Sequence, residues 1–175
     1  MLRFVACGIC VLMATPVMAQ SVAEKTGVNA VVGITPTTQD FVTEAAQSDM
    51  FEIQSSKMAL NSADAPTKEF AQKMIDDHTK TTTELKGAVG KGEVQATLPT
   101  AMSSSQQSMI TKLRDLHGAD FDKQYHSDQV SAHKDAVSLF QRYANGGTDA
   151  SLKGWATTTE PALEHHLQMA QNLNK

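Results

Sequence analysis

Cysteine is nearly absent from this sequence, which has only Cys7 and Cys10 among its 175 residues. Both lie in a segment that the sequence predicts to be removed, from Met1 to Ala19. There Arg3 precedes an apolar run, and small residues close the segment. This order is typical of a secretory signal peptide. We therefore expect the mature chain to have no thiol, no disulfide and no cysteine-ligated metal.

Long apolar runs and runs of one charge are also missing after that segment. No later stretch approaches the roughly 20 apolar residues of a membrane helix, so we expect no transmembrane segment in the mature chain. Apart from Arg3, the 15 Lys and Arg of the chain lie after that segment and are interspersed with its 19 Asp and Glu, which predicts no nucleic-acid partner. The sequence has no phosphate-binding loop, nucleophile elbow or His-Glu-x-x-His motif, and it assigns no enzymatic reaction.

Alternating strand patterns are missing too, and helical periodicity is present instead. We predict a flexible leader over residues 20–37 and one helical domain over residues 38–175. The predicted helices cover about 40–60, Pro66 to Gly90, about 104–116, a segment from an Asp120 cap to Gly146, and a segment from Asp149 that must bend or restart at Pro161. Four long amphipathic helices and a short accessory one predict an all-α antiparallel four-helix bundle.

Four ionisable side chains fall on the apolar faces of the long helices when residues are placed at about 100° intervals. They are Glu52, His78, His133 and His166, one from each long helix. Each lies near or beyond the midpoint of its helix, so antiparallel packing predicts a single polar layer. Its donors suit one Zn, Fe, Mn or Cu ion. The candidates for orienting the imidazoles by hydrogen bonds are Asp77, Tyr125 and Gln129.

Two hypotheses of different classes follow from this layer. In the first, an envelope protein binds one transition-metal ion through the four side chains. In the second, no metal binds, and the buried carboxylate and imidazoles only satisfy one another by hydrogen bonds. The exposed helix faces would then contact a protein partner in the envelope. The sequence does not distinguish oligomeric states.

A series of residues in a fixed order also carries a resemblance to a known family. The series is Asp40-Phe41, Glu44-Ala45-Ala46, Glu52, Phe70-Ala71, Met74, Asp77-His78-Thr79, Phe121-Asp122, Tyr125, Gln129-Val130, His133, Phe140, Pro161, and His166 with Ala170. It resembles the bacterial family of exported helical proteins catalogued as a domain of unknown function and often labelled predicted outer membrane protein. The resemblance covers about residues 40–173.

This resemblance implies a fold and an export route. The family's fold is similar to ferritin-like bundles, and its export implies a periplasmic or surface-associated location. Ferritin-like di-iron sites need Glu-x-x-His on two helices. Here Ile75, Val130 and Leu163 stand three residues before the inward histidines. These residues argue against a carboxylate-bridged di-iron centre and leave a mononuclear or an incomplete metal site as the metal hypothesis.

Overall fold

Five α-helices form the secondary structure of the residues that the computed structural model describes, 33–62 and 64–175. The predicted signal peptide, residues 1–19, and residues 20–32 of the predicted leader lie outside these described residues. The helices are α1 (Thr38–Ala59), α2 (Ala65–Gly90), α3 (Ser104–Asp115), α4 (Gly118–Gly146) and α5 (Ala150–Leu173).

The helix starts follow local capping chemistry, with one exception to our prediction. The side chains of Thr37, Asp64 and Asp149 accept hydrogen bonds from backbone N–H groups in the first turns of α1, α2 and α5. Such caps satisfy donors that have no partner within the helix. The predicted Asp120 cap of α4 is wrong. That helix begins earlier, after His117, and Asp120 lies inside its first turn.

The four long helices pack as an antiparallel bundle in which α1 and α5 are diagonal neighbours. Hydrogen bonds join Thr38 to Tyr143 and Ser56 to Tyr125, both at 2.8 Å, so α1 and α4 run in opposite directions. The α3 segment is the crossover between α2 and α4 and packs on α1 and α4. The predicted all-α antiparallel four-helix bundle with one short accessory helix is confirmed.

Two hydrophobic clusters fill the bundle, one near each end. The Phe41 and Tyr143 rings stack in the first cluster with centroids 4.0 Å apart. In α1, Val42 and Phe51 are buried, whereas Met50 and Ile53 are only partly buried. The first cluster includes Phe41, Val42, Leu85, Leu139, Phe140, Tyr143, Leu152 and Leu163. The second includes Ala59, Phe70, Ala71, Met74, Leu113, Phe121, Tyr125 and Ala170.

The α5 helix continues through Pro161 without restarting. Its inward stripe therefore keeps one register, in which Leu163, His166 and Ala170 are all buried. No helix in the described part of the chain combines the length and the apolar character that crossing a bilayer needs.

Candidate metal site

A polar layer separates the two hydrophobic clusters at mid-height in the bundle. It contains Glu52 of α1, His78 of α2, His133 of α4 and His166 of α5. Each of these residues is at most 2% exposed. Along every long helix the layer residue lies between members of the first and second clusters. Four separate helices thus bring one buried ionisable group each to a common depth.

The three imidazoles face one another at short range. Ring centroids are 5.6 Å apart for His78 and His133, 5.6 Å for His78 and His166, and 5.5 Å for His133 and His166. One nitrogen of each ring lies within 4.8 Å of one nitrogen of the other two. A point equidistant from three atoms 4.8 Å apart is 2.8 Å from each (4.8 divided by √3). Because Zn–N bonds are about 2.0–2.1 Å, inward shifts of less than about 1 Å would bring the rings into ligand positions.

The other nitrogen of each ring is held by a hydrogen bond. His78 Nδ1 is 2.8 Å from Asp49 Oδ1, and His166 Nε2 is 2.7 Å from Asp77 Oδ2. His133 Nδ1 is 2.9 Å from the carbonyl oxygen of Gln129, one turn earlier in α4. A carboxylate or carbonyl oxygen can only accept, so each of these ring nitrogens donates. In a neutral ring the lone pair is then on the remaining nitrogen, the state that a metal requires.

The remaining nitrogens are buried without hydrogen-bond partners in the described part of the chain. They are Nε2 of His78, Nε2 of His133 and Nδ1 of His166. Buried polar atoms are rarely left without partners, and leaving one costs about 1–3 kcal/mol. Three such atoms on neighbouring rings need a physical explanation, and a shared cation provides one.

Glu52 lies beside the imidazoles but outside the group of three whose ligand atoms are mutually within 4.8 Å. Its Oε1 is 3.8 Å from His133 Nδ1. Neither carboxylate oxygen has a hydrogen-bond partner among residues 33–62 and 64–175. Burial raises the pKa of this carboxyl to about 7, although the charge of His78 acts in the opposite direction. A cation would stabilise the ionised form.

The imidazole pKa values differ because their surroundings differ. Burial, with the charge of His78, lowers the pKa of His133 to about 3 and that of His166 to about 4. Burial also acts to lower the pKa of His78, but the hydrogen bond to Asp49 and the charge of Glu52 outweigh it, and the net shift is upward. Two of the three rings are therefore neutral at physiological pH.

Asp49 is the residue of this site that the sequence analysis missed. It is 5% exposed, and its carboxylate also accepts hydrogen bonds from the hydroxyls of Thr81 (2.9 Å) and Thr82 (3.0 Å). The available signal was its position three residues before Glu52, which places the two carboxylates on neighbouring turns of α1. The fixed carboxylate in turn fixes the His78 ring.

The three predicted orienting residues take different positions. The carboxylate of Asp77 accepts a hydrogen bond from His166, and the main-chain carbonyl of Gln129 accepts one from His133. The amide of Gln129 donates to Ser55 Oγ at 3.2 Å. Tyr125 contacts no layer imidazole through its hydroxyl, which shares a hydrogen bond with Ser56. The carboxylate–imidazole pairs resemble the arrangement that commonly orients metal-binding histidines.

Fold and site together define a helical bundle with a buried histidine-rich layer. The sequence model of the domain of unknown function DUF4142 matches residues 23–173. The chain belongs to that family. No curated protein matches the sequence.

A solved structure described as CopM in the Cu(II)-bound form is similar in fold. Its TM-score is 0.67 at 14% identity, and the match covers 81% of this chain and 97% of that one. At this identity the likeness establishes the shared fold and does not establish shared ligands.

Proposed function

We propose that this protein binds one transition-metal ion in the core of its bundle, with His78, His133 and His166 as ligands. The single observation that carries the proposal is the difference between the two nitrogens of each ring. One is anchored by a hydrogen bond, and the other is buried without a partner near its counterparts. Glu52 is the proposed fourth ligand, because its buried carboxylate lies beside His133 in the same layer.

A purely hydrogen-bonded layer is less consistent with this arrangement. In such a network the carboxylate and the imidazoles would satisfy one another directly. Instead the hydrogen bonds of the rings run outward, to Asp49, Asp77 and Gln129, while both oxygens of Glu52 have no partner among the described residues. These outward hydrogen bonds leave the other nitrogen of each ring free to coordinate a central metal ion.

Copper is our first choice of metal, ahead of zinc, iron and manganese. Imidazole nitrogen suits Cu, Zn and Fe, whereas Mn prefers oxygen-rich sites. Divalent copper also binds more tightly than the other divalent ions to a given site of this type. The fold similarity to a protein described in a Cu(II)-bound form supports the same choice.

We also propose that the protein is exported. The first 19 residues have the order of a signal peptide, and we propose a periplasmic or surface-associated location. A core site without thiolates is compatible with an oxidising compartment, because it has no ligand that could form a disulfide. An epitope-tagged chain would test this by fractionation and by N-terminal sequencing. Retention of residues 1–19 would contradict export.

The metal proposal is tested on protein purified without a histidine tag. Elemental analysis after loading with Cu(II) or Zn(II) and desalting should give close to one ion per chain. The substitutions His78→Ala, His133→Ala and His166→Ala should each abolish stoichiometric binding. His165→Ala is the matched control, because His165 is the exposed neighbour of His166. Equal metal content in all five proteins, or none in the wild type, would refute the site.

A further inference from the structure

The geometry points to one route for the ion: it enters and leaves between α2 and α5, past Asp77 and with His166 as the movable ligand. This inference rests on the proposed metal site and adds how that site exchanges its ion. We define the α2/α5 seam as the surface where these two helices meet, with Lys73, Asp77 and Glu84 on α2 and Trp155 and His166 on α5.

The seam is the weakest of the four sides of the bundle. Among the four adjacent pairs of long helices, α2 and α5 share the least contact. The hydrogen bonds across the seam lie near its surface. They join His166 to Asp77, and Trp155 Nε1 to Glu84 Oε2 at 2.9 Å. The accessory helix α3 packs on α1 and α4, on the opposite side of the bundle. Ions therefore meet the least packing at the seam.

The hydrogen-bond partners of the rings also differ in exposure. The Asp77 side chain is 38% exposed, against 8% for Asp49, which holds His78. The third partner is the main-chain carbonyl of Gln129, a fully buried residue. Of the three anchors, Asp77 is by far the most exposed, and it is ion-paired with Lys73 at 2.9 Å.

His166 spans the distance between that surface carboxylate and the centre of the layer. Its Nε2 donates to Asp77, and its Nδ1 is the buried nitrogen without a partner in the described chain. Five residues earlier, Pro161 supplies no backbone N–H to the helix, which weakens the hydrogen-bond ladder locally. His78 and His133 have neither a half-exposed hydrogen-bond partner nor a proline in the preceding two helical turns. His166 is thus the ligand that can swing with the least disturbance.

The exchange step follows from these contacts. An incoming divalent cation meets the Asp77 carboxylate and displaces the Lys73 ammonium from it. The hydrogen bond from His166 Nε2 breaks, the ring turns aside, and the ion passes to the lone pairs of the other two imidazoles. The His166 ring then returns, re-forms its bond to Asp77 and closes the coordination. Release follows the reverse order.

Charge substitutions on two faces test this route. Lys73→Gln removes a positive charge from the seam, and Lys134→Gln removes one from the exposed face of α4, next to His133. Stopped-flow mixing of metal-free protein with Cu(II) would be followed by quenching of Trp155, the single tryptophan. At about 0.1 M ionic strength, where the Debye length is about 10 Å, we expect Lys73→Gln to raise the association rate constant about threefold and Lys134→Gln to leave it unchanged, because charge effects fade beyond that length.

Two carboxylate substitutions form the second arm. Asp77→Asn should lower the association rate constant about threefold at low salt and speed the transfer of Cu(II) to EDTA. Asp135→Asn, the matched change at an exposed position of α4, should leave both rates within about twofold of wild type. Circular dichroism checks that each variant is folded, and the two lysine variants decide the route without it.

The outcomes separate the two proposals. Equal association rates for Lys73→Gln and Lys134→Gln, with one ion still bound per chain, would overturn the seam route and leave the metal site standing. Failure of the wild type to take up Cu(II) would overturn both. A charge effect that persists unchanged in 0.5 M salt would also contradict electrostatic guidance at the seam.

Discussion

Replacing Glu52 by glutamine should stabilise the metal-free protein while weakening its hold on metal. The substitution keeps the shape of the side chain and removes the charge from a residue that is 1% exposed. Burial raises the pKa of Glu52 from its ordinary value of 4.5 to about 7. A carboxyl whose pKa is higher in the folded than in the unfolded chain destabilises the fold once it ionises. The penalty grows as pH rises through 4.5 to 7 and is constant above.

The size of the effect follows from the two pKa values. One pKa unit corresponds to 1.36 kcal/mol, so the difference between 4.5 and about 7 gives a limit of about 3 kcal/mol. Part of this penalty is already present at pH 5. Between pH 5 and pH 8, the stability advantage of Glu52→Gln over wild type should therefore increase by about 2 kcal/mol.

Urea denaturation of EDTA-treated proteins at the two pH values measures that increase. Glu69→Gln, at an exposed position of α2, is the control and should show no comparable change. With saturating Cu(II) the order should reverse, because the wild-type carboxylate then faces a cation and ligand binding adds to stability. An advantage of Glu52→Gln that is the same at pH 5 and pH 8 would refute the view that Glu52 is a desolvated carboxylate.

Three further outcomes follow from the same contacts. Metal affinity should rise between pH 6 and pH 8, because ions displace the proton of Glu52, whose pKa is about 7; a flat profile in competition titrations would contradict this. Asp49→Asn should lower metal affinity about 10- to 100-fold in equilibrium dialysis, and the exposed Asp76→Asn should not. Phe70→Ala should reduce the free energy of unfolding by about 3–5 kcal/mol, whereas Leu60→Ala, 37% exposed, should change it by less than about 0.5 kcal/mol; equal losses in chemical denaturation would count against the described core.

Helical periodicity was sufficient to predict the bundle and the depth of the polar layer. The pattern repeats along each long helix, and a 3.6-residue period fixes which residues share a face. Pro161 left the register of α5 uncertain, since a restarted helix would have turned His166 away. The continuous helix keeps His166 inside. Local rules failed at the start of α4, where Gly118, with a φ of +57°, admits a turn that Asp120 does not control.

The partners of the imidazoles could not be predicted in the same way. The hydrogen bond between Asp49 of α1 and His78 of α2 depends on how α1 is rotated against α2. Threonines are weak signals in a sequence, yet Thr81 and Thr82 hold the Asp49 carboxylate in place. The anchor of His133 is a main-chain carbonyl, which every residue type provides. Such contacts are set by packing and rotamers rather than by residue identity.

The division of the interior into two hydrophobic clusters bears on when the protein folds. Each cluster joins residues of α1, α2, α4 and α5, so apolar packing alone ties the long helices together at both ends. Zinc fingers, by contrast, are unfolded until they bind their ion. Here the metal-binding side chains would be brought together before any ion binds. A chain passing through a metal-poor compartment would therefore fold there and bind its ion later.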